Sequence, residues 1–489
     1  MSGILWPDFC EISIMKKIYS LTFLTFFCAF SLFSQQMVFQ KGEIIGNLSI
    51  TDSTENTYSI YLPKAFSMDR EWPLLMVFDT DGNEEKALSM FMTSAEKEGY
   101  VLAAPKLVDT ISLTKNMMLT TRAIQKVASL FPIKRERVYA AGEGDAAQFA
   151  NLMPVLVQGV NGVISINAAL TNRELMNRKT PFHFVGIVNK EDFNYPFLLT
   201  DAKLLDRYKF PNQVLLYDGT GKWPHASYVQ KGMQLFTLDA MGRKWIPKDT
   251  AYIKNAYKDD LEKVNQLKEI GDLLWAEQYM TEMMSMYGAL KNMDSLRSEQ
   301  KDLRRDRAFK VMKRAENAAF LKESMLREDY QYYIEDDVYT HNFNNLGWWK
   351  YQMTEIDKFI SGSKPFEKQM GHRLKGYVNA LAEDNISLIL SDEVIDEDAL
   401  AFLYMLKTIL EPDNHEFYLN TISLSAKNDD FGTSLFYLEE LLKTGFKDKD
   451  KLYSLEDTAL LRITPEFNEL VSKYLEDARY DIKIEENRP

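Results

Sequence analysis

The sequence predicts an α/β domain, a mostly parallel sheet with helices on both faces, followed by a domain of helices alone. Three observations predict it. From about residue 37 to 245, short apolar runs alternate with segments of helical spacing. The later runs are almost continuously apolar, as strands covered on both faces of a parallel sheet must be. From about 250 to 489 no such runs occur, and Leu, Met, Tyr, Glu and Lys recur at helical spacing. A chain of 489 residues is also too long for one ordinary core.

The N-terminal stretch stands apart from the fold. "MKKIYSLTFLTFFCAFSLFSQQ" starts at Met15 and places Lys16 and Lys17 ahead of an apolar run from Ile18 to Phe33, ending in Ser34, Gln35 and Gln36. That is the layout of a secretory signal peptide, so residues 1–34 are expected to be an upstream extension and signal. The run is short and no second apolar span follows, so no transmembrane anchor is expected after its removal. Export to the periplasm, the cell envelope or the medium is the expected destination. Both cysteines, Cys10 and Cys28, lie in the removed part, which leaves no disulfide, thiolate nucleophile or Cys-ligated metal. The net charge of −13, with no basic block, argues against a nucleic-acid partner.

Within 37–245, "YSIYLP" (58–63), "PLLMVFD" (73–79), "YVLAAP" (100–105), "RVYAAG" (137–142), "GVISIN" (162–167), "FHFVGIV" (182–188) and "QVLLY" (213–217) read as strands. Between them "EEKALSMFMTSAEKEG", "LTTRAIQKVASLF", "DAAQFANLMPVLVQ" and "LLTDAKLLDRY" read as helices. The region 250–489 reads as a helical array, with Pro365, Pro412 and Pro465 at breaks. Its clearest unit pairs "NDDFGTSLFYLEELLKTGF" (428–446) with "ALLRITPEFNELVSKYL" (459–475), a helix ending at Gly445 and a second opened by Pro465. A tetratricopeptide-like stack of such pairs and an irregular bundle both fit that spacing. The change of pattern near 245 predicts two separately folding units, 37–245 and 250–489.

"VYAAGEGDAAQFA" (138–150) reads as a strand, a sharp turn and a helix, which is how one hydrolase class presents its nucleophilic serine. The stretches "YSIYLPKAF", "WPLLMVFDTDGNEEKALSMFMTSAEKEGYVLAAP", "RERVYAAG", "DFNYP" (192–196) and "LLYDGTGKWPHASY" (215–228) together resemble exported bacterial α/β-hydrolases of the polyhydroxybutyrate-depolymerase and enterochelin-esterase type. The resemblance spans roughly residues 55–245, and helical arrays occur fused to such domains. It implies a Ser-His-Asp esterase. The family elbow Gly-x-Ser-x-Gly places Gly142 and Ala146 at the small positions and Gly144 where the serine belongs. The family pattern Gly-His-x-Trp-Pro, in register through Trp223 and Pro224, places Gly221 where the histidine belongs. The acid position falls on Asp192. A carboxylate with no imidazole to orient performs no catalysis.

Other residues near these positions are candidate substitutes. His225 is four residues past the family histidine and could return toward Asp192, or simply start a helix. Glu143 and Asp145 flank the elbow and read as charges complementing a helix N-terminus. Asp79, Asp81 and Gly82 read as an acidic turn. His183 reads as a core residue, and His341, His372 and His415 are scattered without metal-ligand spacing, so neither a metal nor any other cofactor is expected. Trp348 and Trp349 read equally as a binding surface or as packing. The expected function is therefore an exported, catalytically degenerate hydrolase-like protein that binds or scaffolds in the cell envelope. Its helical region would contact a protein, and its cleft could take a small acyl or peptide-like ligand. The alternatives are an esterase with a rearranged site built on His225 and Asp192, and a small-ligand receptor using the vacated pocket.

Overall fold

The apolar runs pair into one sheet because each is β-branched or aromatic, short, and bounded by turn residues. The computed structural model describes residues 39–50, 56–107, 112–171, 173–219 and 223–475. The expected signal segment 1–34 and Gly221 lie outside them. Eight strands form the sheet: β1 (Ile44–Ser49), β2 (Thr57–Tyr61), β3 (Trp72–Val77), β4 (Val101–Pro105), β5 (Ile133–Glu143), β6 (Val160–Ile166), β7 (His183–Asn189) and β8 (Asn212–Tyr217). Their order is β1-β2-β4-β3-β5-β6-β7-β8. β2 runs antiparallel to both β1 and β4, and the pairs from β4 to β8 are parallel. All seven strands read from sequence are present, and β1 is an addition. It is a half-exposed edge strand broken by a register shift around Gly46 and Asn47, so it lacks a continuous apolar signal.

Five helices cover the two faces: α1 (Glu84–Glu98), α2 (Leu113–Leu130), α3 (Asp145–Leu156), α4 (Tyr195–Tyr208) and α5 (Ala226–Gly242). Phe91 and Ala95 of α1 share one core with Val229 and Phe236 of α5. Val127 of α2, Phe149 of α3 and Leu198 of α4 belong to the core on the other face. The sheet is thereby dry on both sides, which is why its parallel strands need no alternating polar residues.

The hydrophobic cores do not part at residue 245. Helices α6 (Thr250–Glu269), α7 (Leu273–Tyr287) and α8 (Asp294–Leu303) belong to the body of the α/β half. Val264, Met280, Met283, Tyr287 and Leu296 lie in the core of one face, and Leu267, Trp275 and Ala276 in that of the other. α7 covers the otherwise unpaired edge of β8. Gln278 Nε2 donates to the Val214 carbonyl at 2.6 Å, and the Glu282 carboxylate receives the Val214 N–H. Side chains thus stand in for a ninth strand, which answers the aggregation hazard of a bare edge. Asp260 on α6 ties the three layers together, accepting from Lys231 (2.6 Å), Tyr279 (2.8 Å) and Tyr287 (2.6 Å). A truncation after Lys248 is expected to aggregate, because it bares both β8 and these core faces, whereas one ending after Leu303 stays soluble. Size-exclusion chromatography of the two fragments checks this.

Burial pushes the Glu282 carboxyl up to about 8 from an ordinary 4.5, with the Val214 N–H and Gln278 opposing and Asp206 adding to the rise. The folded protein therefore holds this proton more tightly than the unfolded chain does. The contribution of Glu282 to stability is fully present below about pH 4.5 and is lost as pH rises through about 8. Glu282→Gln is expected to stabilise the protein at pH 9 by on the order of 2–4 kcal/mol and to change nothing at pH 4. Denaturant midpoints at the two pH values test it.

The remaining chain is helical: α9 (Arg307–Thr340), α10 (Leu346–Ser361), α11 (Pro365–Ser391), α12 (Glu397–Leu410), α13 (His415–Lys427), α14 (Phe431–Lys443), α15 (Lys449–Tyr453), α16 (Ala459–Arg462) and α17 (Pro465–Tyr474). Starts are set by side-chain caps: Asp306, Asp396, Asn414, Asp430, Asp448 and Thr464 each accept a first-turn N–H. Pro365 and Pro465 open α11 and α17, and α14 runs out before Gly445 at φ +91°. Successive helices from α10 to α14 pack on one another, and α17 closes the stack on α14. Trp349 is fully buried and donates to Asp337 at 2.8 Å, while Trp348 packs half-buried against Tyr330 and Tyr333. The tryptophan pair is packing.

Candidate functional site

The turn between β5 and α3 is sharp because of three small residues. Gly144 has φ +56° and ψ −124°, a conformation that L side chains rarely adopt. Its N–H donates to the Ile166 carbonyl on β6 at 3.0 Å, which pins the bend to the sheet. At Gly142 a Cβ would stand 2.4 Å from the Ala146 carbonyl oxygen, so only glycine lets strand and helix approach this closely. At Gly144 a Cβ would meet no atom of the described residues within 4 Å. The backbone thus aims residue 144 into open space, and the residue it aims has no side chain.

Asp192 follows β7 in a tight turn. Its N–H donates to the Asn189 carbonyl, and its own Oδ1 accepts the Asn194 N–H at 2.7 Å. Burial raises its pKa above the ordinary carboxylate value, while Asn194 and the positive charge of Arg327 oppose the rise. His225 is the N-cap of α5 and is exposed. Its Nδ1 lies 2.8 Å from Ser227 Oγ and 3.3 Å from the Ser227 nitrogen. The structure thus turns Asp192 Oδ1 toward the Asn194 N–H, and His225 toward its own helix.

The strand ends carry polar residues that the sequence reading did not single out. Asn167, at φ +52°, donates to the Tyr217 hydroxyl at 2.8 Å, and its carbonyl accepts from Asn194 Nδ2 at 2.8 Å. Asn189 Nδ2 donates to the Gly219 carbonyl at 2.5 Å. Burial pushes Tyr217 up to about 12, the Asn167 bond opposes this, and Asp192 and Glu143 add to it. Tyr217 thus stands within electrostatic reach of Asp192 and Glu143 at the carboxyl ends of the strands. The signal in the sequence was small: two apolar runs that end in Asn167 and Tyr217. Asp145 is exposed in the first turn of α3, and its charge raises the pKa of Asp384 on α11 after burial has done so. Asp79 Oδ2 accepts the Asn83 N–H at 2.5 Å and Gly82 takes φ +74°, a turn leading into α1. His183 is buried in the core against Phe236, while His341, His372 and His415 pair with Asp396, Glu191 and Thr444 respectively.

The helical array sits directly on the Asp192 turn. Arg373 of α11 donates to the Lys190 carbonyl at 2.7 Å, and Arg327 of α9 donates to the Phe193 carbonyl at 2.9 Å. Glu323 lies between the two guanidinium groups, 2.6 Å from Arg373 and 2.7 Å from Arg327, and all three side chains are buried. Arg327 also lies over the rings of Phe197 and Tyr377. Tyr195 packs on Phe320. Two buried arginines of the array thus bond to the backbone on either side of Asp192.

An eight-stranded sheet of this order, with an antiparallel second strand and a glycine-centred strand-turn-helix after β5, is the α/β-hydrolase fold. Among solved structures, the chain is similar to an esterase from Pyrobaculum calidifontis (11% identity, 41% of this chain and 86% of that one, TM-score 0.33). It is also similar to esterase 2 of Thermogutta terrifontis (11% identity, 42% and 96%, TM-score 0.33). A third is an acylaminoacyl peptidase from Pyrococcus horikoshii (12% identity, 40% and 41%, TM-score 0.30). No protein-family model matches the sequence, and no curated protein matches it.

Proposed function

We propose that this protein is an exported, non-catalytic member of the α/β-hydrolase fold that binds or scaffolds in the cell envelope, its helical array contacting a protein partner. One observation carries the reading: the elbow keeps its strained backbone and its open space at Gly144 but offers no oxygen there. Acyl transfer needs an activated nucleophile, a base and a carboxylate that orients the base. Gly144 supplies none, His225 caps a helix, and Asp192 bonds to Asn194. The competing reading, an esterase built on His225 and Asp192, requires His225 to leave its cap and a nucleophile from elsewhere. A fluorophosphonate probe is expected to leave the full chain unlabelled, and labelling at any serine overturns the proposal. Export predicts a mature N-terminus near Gln35, and intact-mass measurement that finds Cys28 retained contradicts it.

A further inference from the structure

We infer that the cleft between the two halves binds a small, uncharged, polyhydroxylated molecule the size of a mono- or disaccharide. The inference goes beyond the proposed function and does not depend on whether the elbow is catalytic. The cleft has a volume of about 330 Å³ and is walled by the loop after β7, the start of α7, and helices α9 and α11. That volume suits a small ligand, and an interface between two packed units is a common place for one.

Two walls offer polar groups that the protein itself leaves unused. Tyr195 is 6% exposed and lines the cleft, yet its hydroxyl has no hydrogen-bond partner among the described residues. Burial raises its pKa, so it stays a neutral donor and acceptor. Gln369 of α11 faces the same cleft, and its amide is likewise without a partner among the described residues. Trp275, which also lines the cleft, has its Nε1 buried without a partner among the described residues, a cost in stability that a ligand hydroxyl would remove.

The charges in the cleft decide the ligand class. Lys190 is paired with Asp272 at 2.7 Å and lies 3.8 Å over the Trp275 ring. Lys313 is paired with Glu316 at 2.6 Å. Glu277 is paired with Arg304 outside the lining. Each charge is matched, so an ionic ligand would have to break a pair to gain one. A neutral ligand keeps the pairs and can bond to their remaining lone pairs and N–H groups. Hydroxyls, which donate and accept in turn, suit this alternation of lysine and carboxylate. The C–H face of a sugar ring would lie on Phe366, Leu199 and Leu274, which complete the lining.

The test is calorimetric titration of the full chain with D-glucose, maltose and N-acetylglucosamine, against glycine and glutamate as charged probes. The expected result is saturable binding of at least one sugar and none of the amino acids. Tyr195→Phe and Gln369→Leu should each weaken that binding about tenfold, the loss of one hydrogen bond. If Tyr195→Phe lowers the melting temperature, Gln369→Leu, on a half-exposed position, still carries the test. Three results overturn the inference: no sugar saturates, the amino acids bind in their place, or neither substitution alters sugar binding.

Discussion

Gly144→Ser is expected to leave the protein without esterase activity. The new Cβ would meet none of the described residues, so the variant should fold, at a strain cost of about 1–2 kcal/mol for a non-glycine residue at φ +56°. An unassisted serine hydroxyl is a poor nucleophile at neutral pH, and no imidazole is directed at it. Adding Gly221→His would supply an imidazole, but one oxygen of its candidate orienting carboxylate is already engaged, since Asp192 Oδ1 accepts the Asn194 N–H. The double variant should therefore remain on the order of 10⁴-fold below an intact triad, the measured scale for an unoriented histidine. Initial rates on p-nitrophenyl acetate read both outcomes. Turnover by the single variant comparable to a working esterase would show that a base already stands within reach of residue 144.

Glu323→Gln should be the most destabilising single change in the helical half. It leaves Arg327 and Arg373, both buried, without their counter-charge, and breaking a buried ion pair costs about 3–5 kcal/mol. The loss should be local before it is global. The Arg373 bond to Lys190 and the Arg327 bond to Phe193 depend on the guanidinium groups that Glu323 holds in place. The segment 190–197 should then become the first site of proteolytic cleavage, while the sheet core stays protected. Changing Glu323, Arg327 and Arg373 together to Leu or Met should restore much of the stability, since the penalty lies in the unpaired charge. Equal loss from the exposed pair partner Glu355→Gln would mean that burial is not the cause.

The parts of this fold that were legible in the sequence are those with a continuous local signal. β3 to β8 each carry a run buried on both faces, in β5 the stretch from Arg137 to Gly142, and the elbow announces itself through Gly142, Gly144 and Ala146. β1 was missed because its residues are half-exposed and Asn47 interrupts its register. The extent of the α/β body was not legible because α6 to α8 have the same amphipathic spacing as the array. What assigns them to the sheet is Gln278 and Glu282 bonding to Val214, a contact across more than sixty residues. The grip on the Asp192 turn was hidden for a related reason. Glu323 and Arg327 stand four apart and read as an ordinary surface pair on a helix, and only the fold brings Arg373 to them from 50 positions away.

Tyr217 and Asn167 mark the limit of reading a site by family positions. Carrying the family positions over tells which residues align with Ser and His, but not which polar groups line the strand ends. Here a tyrosine and three asparagines bond to one another and to the loops around them. The strand ends are held by this polar network, and the bend at Gly144 is pinned to β6 by its bond to the Ile166 carbonyl.

Steady-state hydrolysis of short acyl esters by the unaltered full-length protein tests the central claim most directly. The predicted rate equals that of buffer, and His225→Ala leaves it unchanged. Saturable turnover by the unaltered protein that disappears in His225→Ala would contradict the account, since it would show the histidine acting as a base in a working site.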